Sequence, residues 1–205
     1  MLVICLDLEG VLIPEIWINV AEITGINELR RTTREEPDYD LLMEYRLGIL
    51  DKHDIKIEDI TSIIDSMEPV EGAIEFLQGL ESKWPALILS DTFSQFAKPM
   101  MSKLGNPTLF CHTLAIDDTG RIEGWNIRCE DHKRKTVEAL GKLNFKVIAS
   151  GDSYNDTSML SSANAGILFK PPDNVIAEFP QFPVVNDFEG LMSTIESSAS
   201  DMGEL

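Results

Sequence analysis

Apolar residues along this chain fall into two alternating patterns. Short runs such as Val3-Ile4-Cys5-Leu6, Ala86-Leu87-Ile88-Leu89 and Phe145-Lys146-Val147-Ile148-Ala149 read as strands buried on both faces. Between them, apolar positions recur every three or four residues, the period of an amphipathic helix. One such segment opens at Pro14-Glu15-Ile16-Trp17 and closes at Gly25, where a glycine can end a helix. Asn27 to Pro37 mixes charge with threonine and reads as a loop or broken helix. A second periodic segment, from Pro37, carries Leu41, Leu42, Tyr45, Ile49 and Leu50, and a third, Ile55 to Met67, sets Ile57, Ile60, Ile63 and Ile64 on one face.

Further helices are expected over Ala73–Lys83, Phe93–Leu104 and about His132–Leu143. Thr108–Ile116, the turn Asp117-Asp118-Thr119-Gly120 and Arg121–Cys129 read as a hairpin. A short helix before Ala165–Phe169, and a last strand at Phe182-Pro183-Val184-Val185, complete the pattern. Ser197 to Leu205, rich in serine and acid, is expected to fray. Alternating helices and apolar strands predict an α/β fold with a doubly wound, mostly parallel sheet. No strand is legible from about Glu15 to Glu68, so residues 1–14 and 69–205 are assigned to the core and 15–68 to a small helical domain inserted after the first strand.

Length and composition change this picture little, since 205 residues, 43% hydrophobic and 25% charged, suit one sizeable core. Charge adds a constraint. With 35 Asp and Glu against 17 Lys and Arg, the net charge of −18 repels nucleic-acid backbones and anionic membranes, and a phosphate site here requires a local cation. Cys5, Cys111 and Cys129 lack metal-ligand spacing and read as reduced thiols. With no signal-like apolar core and no run of the roughly 18 residues needed to span a bilayer, a soluble, cytoplasmic protein is expected.

The apolar strands deliver Asp7 and Glu9, Ser90, and Asp152 and Asp156 to their C-terminal ends, with Lys133 before the third. In a parallel sheet such ends converge on one crevice. Crowded carboxylates raise one another's pKa, so the cluster makes sense around a cation, and oxygen-only ligands favour a hard ion such as Mg2+. Lys135 competes with Lys133 for the ammonium role, and two residues apart on a helix they cannot point the same way.

Asp7-Leu8-Glu9-Gly10-Val11, Ser90, Lys133 and Gly151-Asp152-Ser153-Tyr154-Asn155-Asp156 resemble, in order, the four motifs of the haloacid dehalogenase superfamily of aspartate-dependent phosphohydrolases. The position of the inserted segment resembles its phosphoserine phosphatase branch. PEIW, PDYD, LSDTF, GDSYND and FPQFP extend that likeness, over nearly the whole chain, to bifunctional phosphoserine phosphatase/homoserine phosphotransferase members. The resemblance implies a Rossmann-like core and an aspartyl-phosphate on Asp7, with Glu9 as acid and base. It implies Mg2+ on Asp7, Asp152 and the main-chain carbonyl of Glu9, with Asp156 orienting that shell.

Ser90 and Lys133 would hold phosphoryl oxygens, and Asn155 would reach the substrate. In the insert, Glu15 and Arg46 match positions that hold an amino acid's ammonium and carboxylate. Two residues depart from the family pattern: Glu9 is one methylene longer than the usual Asp, and Asp91 puts a carboxylate beside the substrate where Gly is common. The expected activity is phosphoserine hydrolysis with transfer to water or homoserine. The alternatives are a phosphatase for another small phosphorylated metabolite, a receiver that uses Asp7 only as phosphoacceptor, and a dehalogenase of the same fold.

Overall fold

The computed structural model describes residues 1–32, 35–36 and 38–204. Its sheet is formed by β1 (Leu2–Leu6), β2 (Ala86–Phe93), β3 (Leu109–Ile116), β4 (Ile122–Asn126), β5 (Lys146–Gly151), β6 (Ala165–Phe169) and β7 (Val184–Val185). Their order is β4-β3-β2-β1-β5-β6-β7, with every pair parallel except β3–β4, which is the expected hairpin. Leading outward from β1 first through β2 and β3 and then through β5 and β6, the chain makes β1 the point where the winding reverses. In open α/β sheets that point carries the crevice.

Register places the polar residues there. Leu6 lies opposite Ile88 of β2 and Ser150 of β5. Asp7, one residue on, therefore emerges between Ser90 and Asp152, each two residues past those partners. The main-chain N–H of Asp7 donates to the Ser150 carbonyl at 2.9 Å, which fixes this level. All five residues of β1 are buried, as a strand covered on both faces requires.

Helices α1 (Ile16–Thr24), α2 (Tyr39–Lys52) and α3 (Ile57–Ser66) lie between β1 and β2 with no strand among the described residues. Asn27–Arg30 forms one 3-10 turn that buries Leu29. The start of the second periodic segment at Pro37 lies outside the described residues. Asp38 caps α2 instead, accepting from the main-chain N–H groups of Asp40 and Leu41 at 3.0 and 3.1 Å. These helices share one core with the sheet: Ile16, Val20, Met43, Ile60 and Ile64 belong to the same apolar cluster as Ile4, Leu6 and Ile88. Polar ties add to it, with Arg121 gripping both Asp51 oxygens at 2.7 Å and Trp125 Nε1 donating to Asp40 at 3.1 Å.

After β2 come α5 (Ser94–Lys103), preceded in the chain by α4 (Ala73–Glu81), then α6 (His132–Lys142), α7 (Thr157–Ser162), α8 (Asp173–Glu178) and α9 (Phe188–Asp201). Two expectations are corrected here. The C-terminal segment does not fray from Ser197: Leu191, Ile195 and Ala199 form a buried stripe along α9. Beyond it Glu204 pairs with the N-terminal ammonium at 2.9 Å and accepts Trp84 Nε1 on its carbonyl at 3.1 Å. β2 runs three residues past Ser90, through a register shift between Leu89 and Phe93, so Ser90 and Asp91 sit in an irregular part of the strand rather than at its end. No helix among the described residues is long and apolar enough to cross a membrane.

Candidate active site

At the C-terminal ends of β1, β2 and β5, a cavity of 270 Å³ is lined by Asp7, Glu9, Ser90, Asp91, Lys133, Asp152 and Asn155 from the sheet side, and by Glu15, Trp17, Tyr39 and Arg46 from the inserted helices. The chain thus brings all the residues singled out from the sequence into one space except Asp156, which lies directly beneath it. Lys133 is 2% exposed, whereas Lys135 is exposed and outside this group.

Lys133 Nζ donates to Asp7 Oδ1 and Asp156 Oδ1, both at 2.8 Å, and lies 3.4 Å from Asp91 Oδ2. Asp156 is fully buried, and its other oxygen accepts the main-chain N–H groups of Asp152 and Ser153 at 3.0 and 3.1 Å. A side chain so fully engaged holds the loop after β5 in place. Gly151 is required there, because a Cβ would stand 2.3 Å from the Asp156 carboxyl carbon.

Asp7, Asp152 and Asp156 each present a carboxylate oxygen within 4.8 Å of the others, an arrangement that could hold a cation. Electrostatics fits one. Burial, and then the Asp156 charge, push Asp7 well above the usual carboxylate range despite Lys133, and burial, then Asp156 and Glu15, push Asp152 up to about 7. A single lysine does not balance three clustered carboxylates, two of them buried, and a hard divalent cation with oxygen ligands would. Gly10, at φ +80°, brings the main chain after Glu9 against this cluster: a Cβ on it would lie 2.7 Å from the Asp152 carboxylate.

Glu9 turns its side chain the other way. Its Oε2 accepts the Ile16 main-chain N–H at 2.9 Å, at the start of α1. Burial, and then the Glu15 charge, push it up to about 7, against the Ile16 and Thr92 hydrogen bonds and the Arg46 charge. A carboxyl group that changes protonation near neutrality suits acid–base work. Its folded-state value lies above its ordinary 4.5, so the unfolded chain releases this proton first as pH rises. Stability from the neutral form is complete below 4.5 and lost through about 7. Metal-free Glu9→Gln is therefore expected to gain on the order of 3 kcal/mol over the parent at about pH 8 and nothing at about pH 4. Thermal melting of both proteins across that range checks it, and a gap that does not change with pH would count against burial as the cause.

Arg46 is 6% exposed, stacks its guanidinium over Trp17 at 4.6 Å and donates through Nη2 to the Arg31 carbonyl at 2.9 Å. Its buried Nε has no hydrogen-bond partner among the described residues. Burial lowers its pKa to about 10, with Tyr39, Glu9 and Glu15 acting in the opposite direction, so it stays charged at neutral pH. A buried guanidinium that lines a cavity can receive a carboxylate. Glu15 stands exposed at the same rim. Ser90 Oγ accepts the Thr92 main-chain N–H at 3.2 Å, leaving its own proton to donate.

Asp91 is the residue whose surroundings the sequence least reveals. Asn155 Nδ2 donates to its Oδ2 at 2.9 Å, and His112 and His132 approach its Oδ1. Burial acts to raise its pKa, but the Lys133 charge and the contacts with His112, His132 and Asn155 outweigh it and hold the carboxyl well below the usual range. Neither histidine stands at ligand spacing along the chain, and no motif marks Tyr39, whose hydroxyl donates to the Asp91 carbonyl at 3.2 Å. His112 and His132 become neighbours because β3 lies beside β2 and α6 starts above it, a relation that spacing along the chain does not carry.

A family model of haloacid dehalogenase-like hydrolases matches residues 1–164. The chain is 57% identical over 187 residues to phosphoserine phosphatase ThrH of Pseudomonas aeruginosa, covering 91% of each. It is 56% identical to a phosphoserine phosphatase of Pseudomonas syringae pv. tomato, covering 91% of this chain and 79% of that protein. Among solved structures, phosphoserine phosphatase in its apo form superposes with a TM-score of 0.76 at 21% identity, covering 93% of this chain and 97% of that one. A substrate-bound phosphoserine phosphatase complex gives 0.76 at 20% identity, covering 94% and 97%. At such identities the likeness shows the fold.

Proposed function

Because this chain belongs to the haloacid dehalogenase-like hydrolases, we propose that it takes the phosphoryl group of O-phosphoserine onto Asp7 and passes it to water or to homoserine. One observation carries this reading: a buried carboxylate at a strand end, Asp7, meets Lys133 in a cavity that Glu9 and Arg46 also line. Residues 15–68 act as a cap over the core of 1–14 and 69–205. The cap supplies Arg46 for the substrate carboxylate and Glu15 for its ammonium.

In the first half-reaction a carboxylate oxygen of Asp7 attacks phosphorus and the bond from phosphorus to the serine oxygen breaks. Glu9, which holds a proton up to about pH 7, gives it to the departing alkoxide. Ser90 and Lys133 donate to phosphoryl oxygens throughout, and Asn155 reaches the substrate beside Asp91. In the second half, water or an acceptor hydroxyl attacks the aspartyl-phosphate, Glu9 takes the proton back, and the Asp7 carboxylate is regenerated. Mg2+ is the ion we assign to Asp7, Asp152 and the Glu9 carbonyl, with Asp156 holding Asp152 in place. When bound it neutralises phosphoryl charge next to an anionic nucleophile. Free Cys5, Cys111 and Cys129 fit a reducing cytoplasm.

Transfer to homoserine follows from what remains after serine leaves. Arg46 and Glu15 are then free to hold a second α-amino acid, and homoserine brings the same two charged groups with a hydroxyl one methylene further out. A bound acceptor has the effective-concentration advantage over loosely held water. Phosphorus NMR of phosphoserine, homoserine and Mg2+ with the protein is expected to show phosphohomoserine alongside inorganic phosphate. Inorganic phosphate alone at saturating homoserine would leave a phosphatase without the transferase half, and no turnover at all would remove the reading.

A further inference from the structure

The carboxylate of Asp91 is flanked by two imidazoles that the proposed reaction does not use. Its Oδ1 lies 3.2 Å from Nε2 of His132 and 3.7 Å from Nε2 of His112. Both imidazoles are buried and stand edge to face, with ring centroids 4.7 Å apart. Nε2 of His132 makes no hydrogen bond among the described residues, so its approach to Asp91 is an electrostatic contact. A carboxylate and two imidazoles this close could hold a transition metal.

The far nitrogens point elsewhere. Nδ1 of His112 accepts the main-chain N–H of Arg128 at 3.2 Å, and Nδ1 of His132 lies 3.1 Å from Nη2 of the same arginine, which can only donate. Neutral imidazoles so placed carry their proton on Nε2, the positive edge of each ring on the side of Asp91. A metal ligand through Nε2 would need that lone pair free and the proton on Nδ1.

On its other side Asp91 faces Lys133. That lysine sits 2.8 Å from Asp7 and 2.8 Å from Asp156, but 3.4 Å from Asp91. An unrestrained carboxylate would close onto the ammonium as its two neighbours have, and would take the third of its three N–H groups. We propose that His112 and His132, their tautomers set by Arg128, are positioning residues that hold the Asp91 carboxylate back from Lys133 and keep one lysine N–H for a phosphoryl oxygen. This role rests on Lys133 being the cation that receives the phosphoryl group. The family's usual Gly at this position needs no such restraint, and the histidine pair answers the charge that Asp91 brings.

The test is the affinity of the Mg2+-loaded protein for inorganic phosphate, measured by calorimetry beside phosphoserine turnover. His132→Leu is expected to weaken phosphate binding about tenfold, whereas His132→Gln, which keeps an N–H donor near Nε2, stays within about threefold of wild type. In the Asp91→Asn background the same His132→Leu change should cost less than about threefold, because no carboxylate remains to capture Lys133. Arg128→Ala, at an exposed side chain, should move phosphate affinity in the same direction and be relieved in the same way, which keeps the test decisive if His132→Leu does not fold. An equal cost with and without Asp91 would overturn the proposal. So would a second Zn2+ equivalent bound by wild type and lost in His132→Leu. A wild type that turns over phosphoserine but binds phosphate no better than Lys133→Met overturns the assignment of Lys133 and this role with it.

Discussion

Replacing Asp7 by Asn is expected to lower phosphoserine turnover by at least about 10⁴-fold while leaving the protein folded, because an amide cannot form the aspartyl-phosphate. The second half of that expectation comes from the electrostatics of the cluster. Asp7 is buried against Asp156 and Asp152 and is pushed well above the usual carboxylate range, so its charge is held at a cost in the metal-free protein. Asn has the same shape without that charge, and Lys133 keeps Asp156 as a partner at 2.8 Å. The melting temperature of metal-free Asp7→Asn should therefore equal or exceed that of the parent. Single-turnover assays with radiolabelled phosphoserine read the chemistry: label retained on acid-quenched wild type and absent from the variant. A variant within about tenfold of wild type, a barrier change of only about 1.4 kcal/mol, would exclude Asp7 as nucleophile.

Much of this site could be read from the chain because the signals that carry it are local. An apolar run ending in Asp7 and Glu9, another ending in Ser90, and a third ending before Asp152 name three strands and three sets of side chains at once. A parallel sheet then brings their ends together without further information. Helical periodicity between Glu15 and Glu68 likewise announces the inserted helices. What could not be read depends on register and burial. Glu9 titrates near neutrality because α1 and Glu15 close over it, and Asp91 meets His112 and His132 because β3 pairs beside β2 and α6 starts nearby. Ser197 to Asp201 look like a polar tail until Ala199 is seen as the last step of a stripe that starts at Leu191 and passes through Ile195. A single alanine among serines is too weak a signal to extend a helix by sequence alone.

Arg46→Ala is expected to separate recognition of the amino acid from phosphoryl transfer. The guanidinium is buried beside Trp17, keeps a donor without a partner among the described residues, and lines the same cavity as Asp7. A carboxylate received there makes a charge-assisted hydrogen bond out of water, where such bonds are strongest. Its loss should lower kcat/KM for phosphoserine by about 10³-fold, roughly 4 kcal/mol. O-phosphoethanolamine presents the same phosphate and ammonium without the carboxylate. Any activity on it should change by less than about threefold, since no substrate group meets Arg46. Removing the arginine also removes a positive charge that lowers Glu9, so the acidic group in the pH–rate profile should move upward from about 7. A structural arginine would instead reduce both substrates alike and leave the pH profile where it was, and steady-state rates on the pair of esters distinguish the two. If both fall together, the substrate carboxylate is held elsewhere, and the cap contributes shape to this cavity rather than the charge that selects an amino acid.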